Sequence, residues 1–148
     1  MRNPTLREYR PSDFNTLWEL DQLCFEPGIA YPKAELRHFM KSPGAFTLVA
    51  EADSKIVGFI LAHAHPQHGH IITIDVDQSQ RRAGLGSRLL EAAEERLRSL
   101  KKTAVILEVA VDNQPAITFY KRQGYSVIKT IPHYYHTGLD ALEMAKAL

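Results

Sequence analysis

Three short stretches hold the residues whose types and spacing suit chemistry. The first is Arg81-Arg82-Ala83-Gly84-Leu85-Gly86-Ser87, which follows an apolar strand-like run and opens a helical one. A helix N-terminus presents unpaired N–H groups and a partial positive charge, so it suits an anion. Gly84 and Gly86 carry no Cβ and let a phosphate approach the backbone. Arg81 and Arg82 add charge, and Ser87 adds a hydroxyl donor. A tight strand-to-helix turn that needs glycine for itself accounts for the glycines equally well. The P-loop lysine is missing, and so is the third glycine of the dinucleotide fingerprint. The second stretch is the apolar run from Ala104 to Val111, in which Glu108 is the one acid. A buried charge needs a partner or a task; a strand end in solvent, or an arginine partner, is the plainer account. The third holds His63, His65, His68 and His70. His63 and His65 share a strand face, and a hairpin would set His70 opposite. That spacing permits a metal, but a polar strand face and turn explain it more simply, and no metal is expected.

The elements around these residues set limits on what they do. A chain of 148 residues fits one domain with one core, so residues 1–148 read as a single unit. A formal net charge of +1 gives no global field for nucleic acid or an anionic membrane, so an anion must be held locally. The single cysteine, Cys24, allows no intrachain disulfide and suits a reducing compartment. Met1 to Arg10 lacks a signal peptide's apolar run, and no stretch approaches the roughly 20 apolar residues that span a bilayer. A cytoplasmic protein is expected.

Along the chain, Thr5 to Tyr9 reads as a short strand. Ser12 offers an N-cap oxygen to a helix from Asp13 to Cys24, where Phe14, Leu17, Trp18 and Cys24 recur at helical spacing. The breakers in Glu26-Pro27-Gly28-Ile29-Ala30-Tyr31-Pro32 make a loop, and Lys33 to Met40 makes a second helix. Phe46–Glu51, Ile56–His65 and Ile71–Val76 form an antiparallel meander. Leu85, Leu89, Leu90, Ala93, Leu97 and Leu100 form one stripe of a long helix. Ala104–Val109 is a buried strand, and the helical crossover makes it a parallel neighbour of Ile71–Val76. Pro115 opens a helix that Gly124 ends as the C′ residue. Ser126–Ile131 and Ala141–Ala147 are the last strands. The expected fold is α/β: a single mixed, mostly antiparallel sheet of about seven strands with helices on both faces.

The order of motifs resembles the GNAT superfamily of N-acetyltransferases over nearly the whole chain. R-x-x-G-x-G after a fourth strand is similar to that family's acetyl-CoA pyrophosphate loop. Ile72-Thr73-Ile74-Asp75-Val76-Asp77 stands where the family has the strand that lines the pantetheine arm. Leu107-Glu108-Val109, Asn113-Gln114-Pro115-Ala116, Phe119-Tyr120 and Gly124-Tyr125 resemble the second motif. Tyr134-Tyr135 and Asp140-Ala141-Leu142-Glu143-Met144 resemble the C-terminal end. The nearest subgroup is that of the bacterial ribosomal-protein alanine N-acetyltransferases and their N-terminal-acetylating relatives. The resemblance implies acetyl-CoA as co-substrate, held by Ile74, Asp75 and Val76, by the turn Arg81, Arg82, Ala83, Gly84, Leu85, Gly86 and Ser87, and by Asn113, Ala116 and Tyr120. The backbone of Ile74 and Val76 would pair with the pantetheine amides, and two splayed parallel strands would leave that edge free.

It also implies chemistry. An amine attacks a thioester only with its lone pair free, and a peptide α-amine, near pKa 7.7–8.0, loses its proton more easily than lysine. By the resemblance, Glu108 is the base and Tyr120 the acid that serves the leaving thiolate; a packing tyrosine is the plainer account of Tyr120. Cys24 reads as a small core residue. Tyr31, Tyr134 and Tyr135 fall in the two loops that wall the peptide entrance in the related enzymes, and half-buried aromatics under loops would look the same. Gly138-Leu139-Asp140-Ala141 departs from the subgroup's Gly-Glu-Asp-Ala, and the first loop lacks its tryptophan, which sets the ribosomal substrate apart from the chemistry. The histidine face has a second reading, as a wall of the acceptor groove. The expected acceptor is a protein or peptide N-terminus, with a lysine or small amine as the alternative. A non-catalytic acyl-CoA sensor is disfavoured because Glu108 and Tyr120 are both present. No nucleic acid or membrane partner is expected, and the chain would act as a monomer or homodimer.

Overall fold

The computed structural model describes residues 3–148. Met1 and Arg2, which belong to the expected single unit and its leader-free start, lie outside them. The elements run β1 (Thr5–Glu8), α1 (Phe14–Cys24), α2 (Lys33–Lys41), β2 (Ala45–Ala52), β3 (Lys55–Ala64), β4 (Gly69–Val76), α3 (Leu85–Ser99), β5 (Ala104–Ala110), α4 (Gln114–Arg122), β6 (Ser126–Ile131) and β7 (Ala141–Ala147). All seven strands join one sheet in the order β1-β2-β3-β4-β5-β7-β6. Every pairing is antiparallel except β4 with β5. The last strand inserts between β5 and β6, so the C-terminal hairpin completes the sheet on the far side of its one parallel pair.

The two faces bury separate cores. On one face α3 lays Leu85, Leu89, Leu90, Ala93 and Leu97 onto Ile60, Ala62, Ile71 and Leu107. On the other, Phe14, Leu17 and Leu20 of α1 and Leu36 of α2 cover Val49, Phe59 and Leu61. Cutting one such leucine to alanine typically costs about 2–5 kcal/mol. The cap expected at Ser12 is not made. A 3-10 turn over Pro11–Asp13 precedes α1, and the Asp13 carboxylate accepts from Arg10 N at 2.8 Å and from Arg7. Asp can serve two donors at once where a hydroxyl would serve one or two more weakly. Gly124 ends the α4 segment with φ +97°, as expected of a C′ residue.

One irregularity positions the site. Leu61 pairs with Thr73 and Ala62 with Ile71, so Ile72 is an extra residue in β4. This β-bulge reverses the alternation: Ile71 and Ile74 both face α3, three residues apart. Bulges bend a strand and increase its twist. The parallel pairing of β4 with β5 runs from Gly69–Val105 to Ile71–Leu107 and stops there. Beyond it, the rest of β4 and the end of β5 diverge and leave a gap open at the top of the sheet.

Candidate active site

The gap is the floor of two joined cavities. The smaller, about 70 Å³, is lined by Glu108 at the end of β5 and walled by Tyr31, Tyr134 and Tyr135. The larger is a groove of about 900 Å³ between Val76 and the N-terminus of α3 on one side and α4 on the other. Phe25, Ile74, Asn113, Ala116 and Tyr120 line both. Tyr120 therefore stands at the junction. Burial pushes its phenol pKa upward, with the Asp75 carboxyl next in effect, so it stays protonated at neutral pH.

The rim of the groove carries groups that suit an anion. Gly84 is the N-cap of α3 at φ +83°, and a Cβ there would meet open space. Arg82 is also left-handed, at φ +67°. Among the described residues no side chain caps the helix, which leaves the first N–H groups of α3 without a side-chain acceptor at the groove. Arg81, Arg82, Gly84, Leu85, Gly86 and Ser87 all line it, whereas Ala83 does not. Ser87 Oγ is held by Gln123 Nε2 of the segment after α4, at 2.8 Å. A Cβ on Gly86 would lie 3.3 Å from the Phe119 ring, so glycine there lets α3 and α4 approach.

The strand residues divide by side. Ile74 and Val76 face the groove, but the Asp75 side chain is fully buried on the opposite face, where Thr73 Oγ1 donates to it at 2.6 Å. Neighbours in a strand point to opposite faces, and Asp75, expected beside the donor arm, lines neither cavity. Asn113 caps α4, its Oδ1 accepting from Ala116 N at 3.2 Å, which leaves its NH₂ to donate into the cavities. Cys24 packs against the core on the α1 face, as expected, but it is not away from the site. It lines the groove, with Sγ 3.5 Å from Val76 O and 3.8 Å from Arg81 Nη2. Burial pushes its thiol up to about 11, which keeps it inert.

Glu108 is largely buried, and its Oε1 accepts from His70 Nε2 at 2.7 Å and from the Tyr134 hydroxyl at 3.3 Å. The sequence reading sets His70 in the histidine cluster and not beside Glu108. The signal for its position was the hairpin register, which does pair His63 with His70. Of the four histidines only His70 reaches Glu108. His63 Nε2 lies 2.6 Å from Pro43 O, and His65 stacks on His68. Among the described residues no three metal-ligating side chains converge. Tyr31 and Tyr134 are pushed upward in pKa chiefly by burial, with neighbouring phenols and the Glu108 carboxylate adding to it. Glu35 of α2 reaches His136 of the last loop at 3.4 Å.

The model of the acetyltransferase (GNAT) family matches residues 14–125, which includes the turn, the gap, Glu108 and Tyr120. The chain belongs to that family. This acetyltransferase is 31% identical to an N-alpha-acetyltransferase of Sulfurisphaera tokodaii, over 97% of this chain and 92% of the relative. Its fold superposes on Ard1 from Thermoplasma volcanium with a TM-score of 0.88 and 27% identity, covering 99% of each chain. It superposes on Naa20 of Chaetomium thermophilum, solved with a bisubstrate analogue, with a TM-score of 0.80 and 29% identity, covering 97% of this chain and 86% of the other. The protein is an N-acetyltransferase. No helix among the described residues is long and apolar enough to cross a membrane.

Proposed function

We propose that this acetyltransferase moves the acetyl group of acetyl-CoA onto the α-amine of a protein or peptide N-terminus. The carrying observation is the junction of the two cavities: a carboxylate on one side, an anion-binding helix end on the other, and one protonated phenol between them. The relatives named for α-amine acetylation support the choice of acceptor. So does the smaller cavity, where Glu108 favours an incoming ammonium and three tyrosines give an extended chain an aromatic, hydrogen-bonding wall.

Acetyl-CoA supplies an activated acyl thioester. The α3 N-terminus with Arg81, Arg82 and Ser87 holds the pyrophosphate, and Asn113 and the free edge of β4 hold the amides of the arm. Glu108 takes the proton of the acceptor amine, directly or through a water, and His70 keeps the carboxylate aimed at the gap. The amine nitrogen forms a bond to the acyl carbon, and the carbon–sulfur bond breaks. Tyr120 donates a hydrogen bond to the departing sulfur. An alkyl thiol ionises near about 8.5 and the buried phenol well above its usual 10, so Tyr120 stabilises the thiolate by hydrogen bonding more than by losing its proton. The reducing cytoplasm suits the free thiol of Cys24 in the groove.

Release of CoA measured against a panel of N-terminal peptides, lysine peptides and small amines tests the reading. N-terminal peptides should give the highest kcat/KM. Faster turnover of free polyamines or of internal lysines would overturn the acceptor assignment and leave the acetyltransferase chemistry in place.

A further inference from the structure

Beneath the gap lies a pair of carboxyl groups that the reaction above does not use. Asp21 of α1 and Asp75 of β4 are both fully buried. Asp21 Oδ2 accepts from Tyr31 N at 2.8 Å, and Asp75 Oδ1 accepts from Thr73 Oγ1 at 2.6 Å. The remaining oxygens, Asp21 Oδ1 and Asp75 Oδ2, meet no donor among the described residues. The two carboxyl groups lie close enough to hydrogen-bond to each other. Two acceptors cannot do so unless one carries a proton. Two adjacent buried carboxylates would repel each other in a low dielectric.

The pair joins two functional elements. On one side, three side chains of α1 clamp the backbone of Tyr31: Asp21 takes its N–H, while Trp18 Nε1 and Gln22 Nε2 donate to its carbonyl at 3.1 and 2.8 Å. On the other, Asp75 lies in β4 between Ile74 and Val76, the two residues that face the groove. We infer that the Asp21–Asp75 pair is a positioning device that couples the Tyr31 wall of the acceptor site to the donor strand β4 through one shared proton. This inference rests on the acceptor reading above for the role of Tyr31.

The other titratable groups around the pair are Tyr31 in the loop after α1, Cys24 at the end of α1 and Tyr120 on α4. Burial pushes all three upward, so they stay neutral through the neutral range. Phe59, opposite Asp75 in β3, is apolar. The Arg81 guanidinium touches the Cys24 sulfur at the groove's rim. The pair is thus the group whose charge changes as pH rises. Burial, and then each carboxyl's effect on the other, holds Asp75 well above 3.8. Its folded form keeps a proton that the unfolded chain releases. Its contribution to stability is therefore complete below about 3.8 and declines as pH rises toward the folded value.

Asp75→Asn replaces the shared proton with a permanent amide donor. Infrared spectra of wild type at neutral pH should show the carbonyl stretch of a protonated carboxylic acid, absent from Asp75→Asn. The melting temperature of the variant relative to wild type should climb with pH across this window. With an N-terminal peptide, the ratio of wild-type to variant acceptor KM should also climb with pH; the ionisation of the peptide amine cancels in that ratio. The variant's fold is checked by the same melts. A wild type without the acid band, or a melting difference constant with pH, overturns the shared proton. A band present with a pH-independent KM ratio overturns the coupling to Tyr31. The infrared and melting arms need no acetyl transfer, so failure of the acceptor reading shows separately, as peptide turnover too slow to assign a KM.

Discussion

His70 Nε2 and Glu108 Oε1 meet at 2.7 Å, joining β4 to β5 just where their backbone ladder ends at Ile71–Leu107. A side-chain bond takes over where the main-chain bonds stop. It carries a carboxylate into the gap on a strand end that has lost its neighbour on one side, and it ties Oε1 rather than Oε2.

Glu108→Gln keeps the shape and removes the basicity. Loss of a general base typically costs about 10²–10⁴-fold in rate. We expect kcat to fall by that order while acetyl-CoA still protects the protein from melting. The loss should shrink at high pH, where the peptide amine deprotonates unaided. Stopped assays across pH check this, and unchanged turnover at neutral pH excludes Glu108 as the main base.

His70→Ala removes the partner and leaves the carboxylate. Turnover should fall less than in Glu108→Gln. The two changes act on one unit, so the double variant should be little worse than Glu108→Gln alone. A double-mutant cycle decides it. Additive losses would mean that His70 acts on its own.

Gly84→Val tests the anion site. The site leaves room for the side chain, but φ +83° does not suit a β-branched residue, and the strain is of order 1–3 kcal/mol. Wild type at 100 times its acetyl-CoA dissociation constant should gain about 2.7 kcal/mol of stability. The variant should melt somewhat lower and gain almost nothing from the ligand. A full ligand shift in Gly84→Val would remove the turn from the binding site.

What the sequence told and withheld divides along physical lines. The helical stripe, the antiparallel meander and the buried run of β5 are local patterns, and the sheet uses them as read except at Leu100, which follows the helix and is exposed. Glu108 stood out because a charge in an apolar strand is costly. The bulge at Ile72 was silent. Ile71-Ile72-Thr73-Ile74 is β-branched throughout, so no clear alternation marks the change of phase. Without that phase, His70 could not be aimed at Glu108, nor Asp75 at Asp21. Cys24 was misplaced for a different reason: its contact with Val76 spans 52 residues, and no local periodicity records such a pairing.

Tyr120 offers the cleanest separation of binding from chemistry. Its ring packs edge-on against Phe119 at 5.3 Å and Tyr125 at 5.9 Å, and Tyr120→Phe keeps those contacts. The fold should keep its melting temperature, and acetyl-CoA should still protect it. What disappears is one hydrogen bond to sulfur as charge develops there. A bond to a charged group is worth roughly 1.5–3 kcal/mol, and about 1.4 kcal/mol is tenfold in rate. Turnover should therefore fall by about 10- to 100-fold, with the acceptor KM little changed. Because burial holds the phenol above its usual pKa, its titration should not set the alkaline limb of the wild-type pH profile. An acyl donor whose leaving group is already a stable anion should lose much less. Normal turnover of Tyr120→Phe with acetyl-CoA would make Tyr120 a packing residue. Equal loss with both donors would assign the hydroxyl to holding the thioester in place.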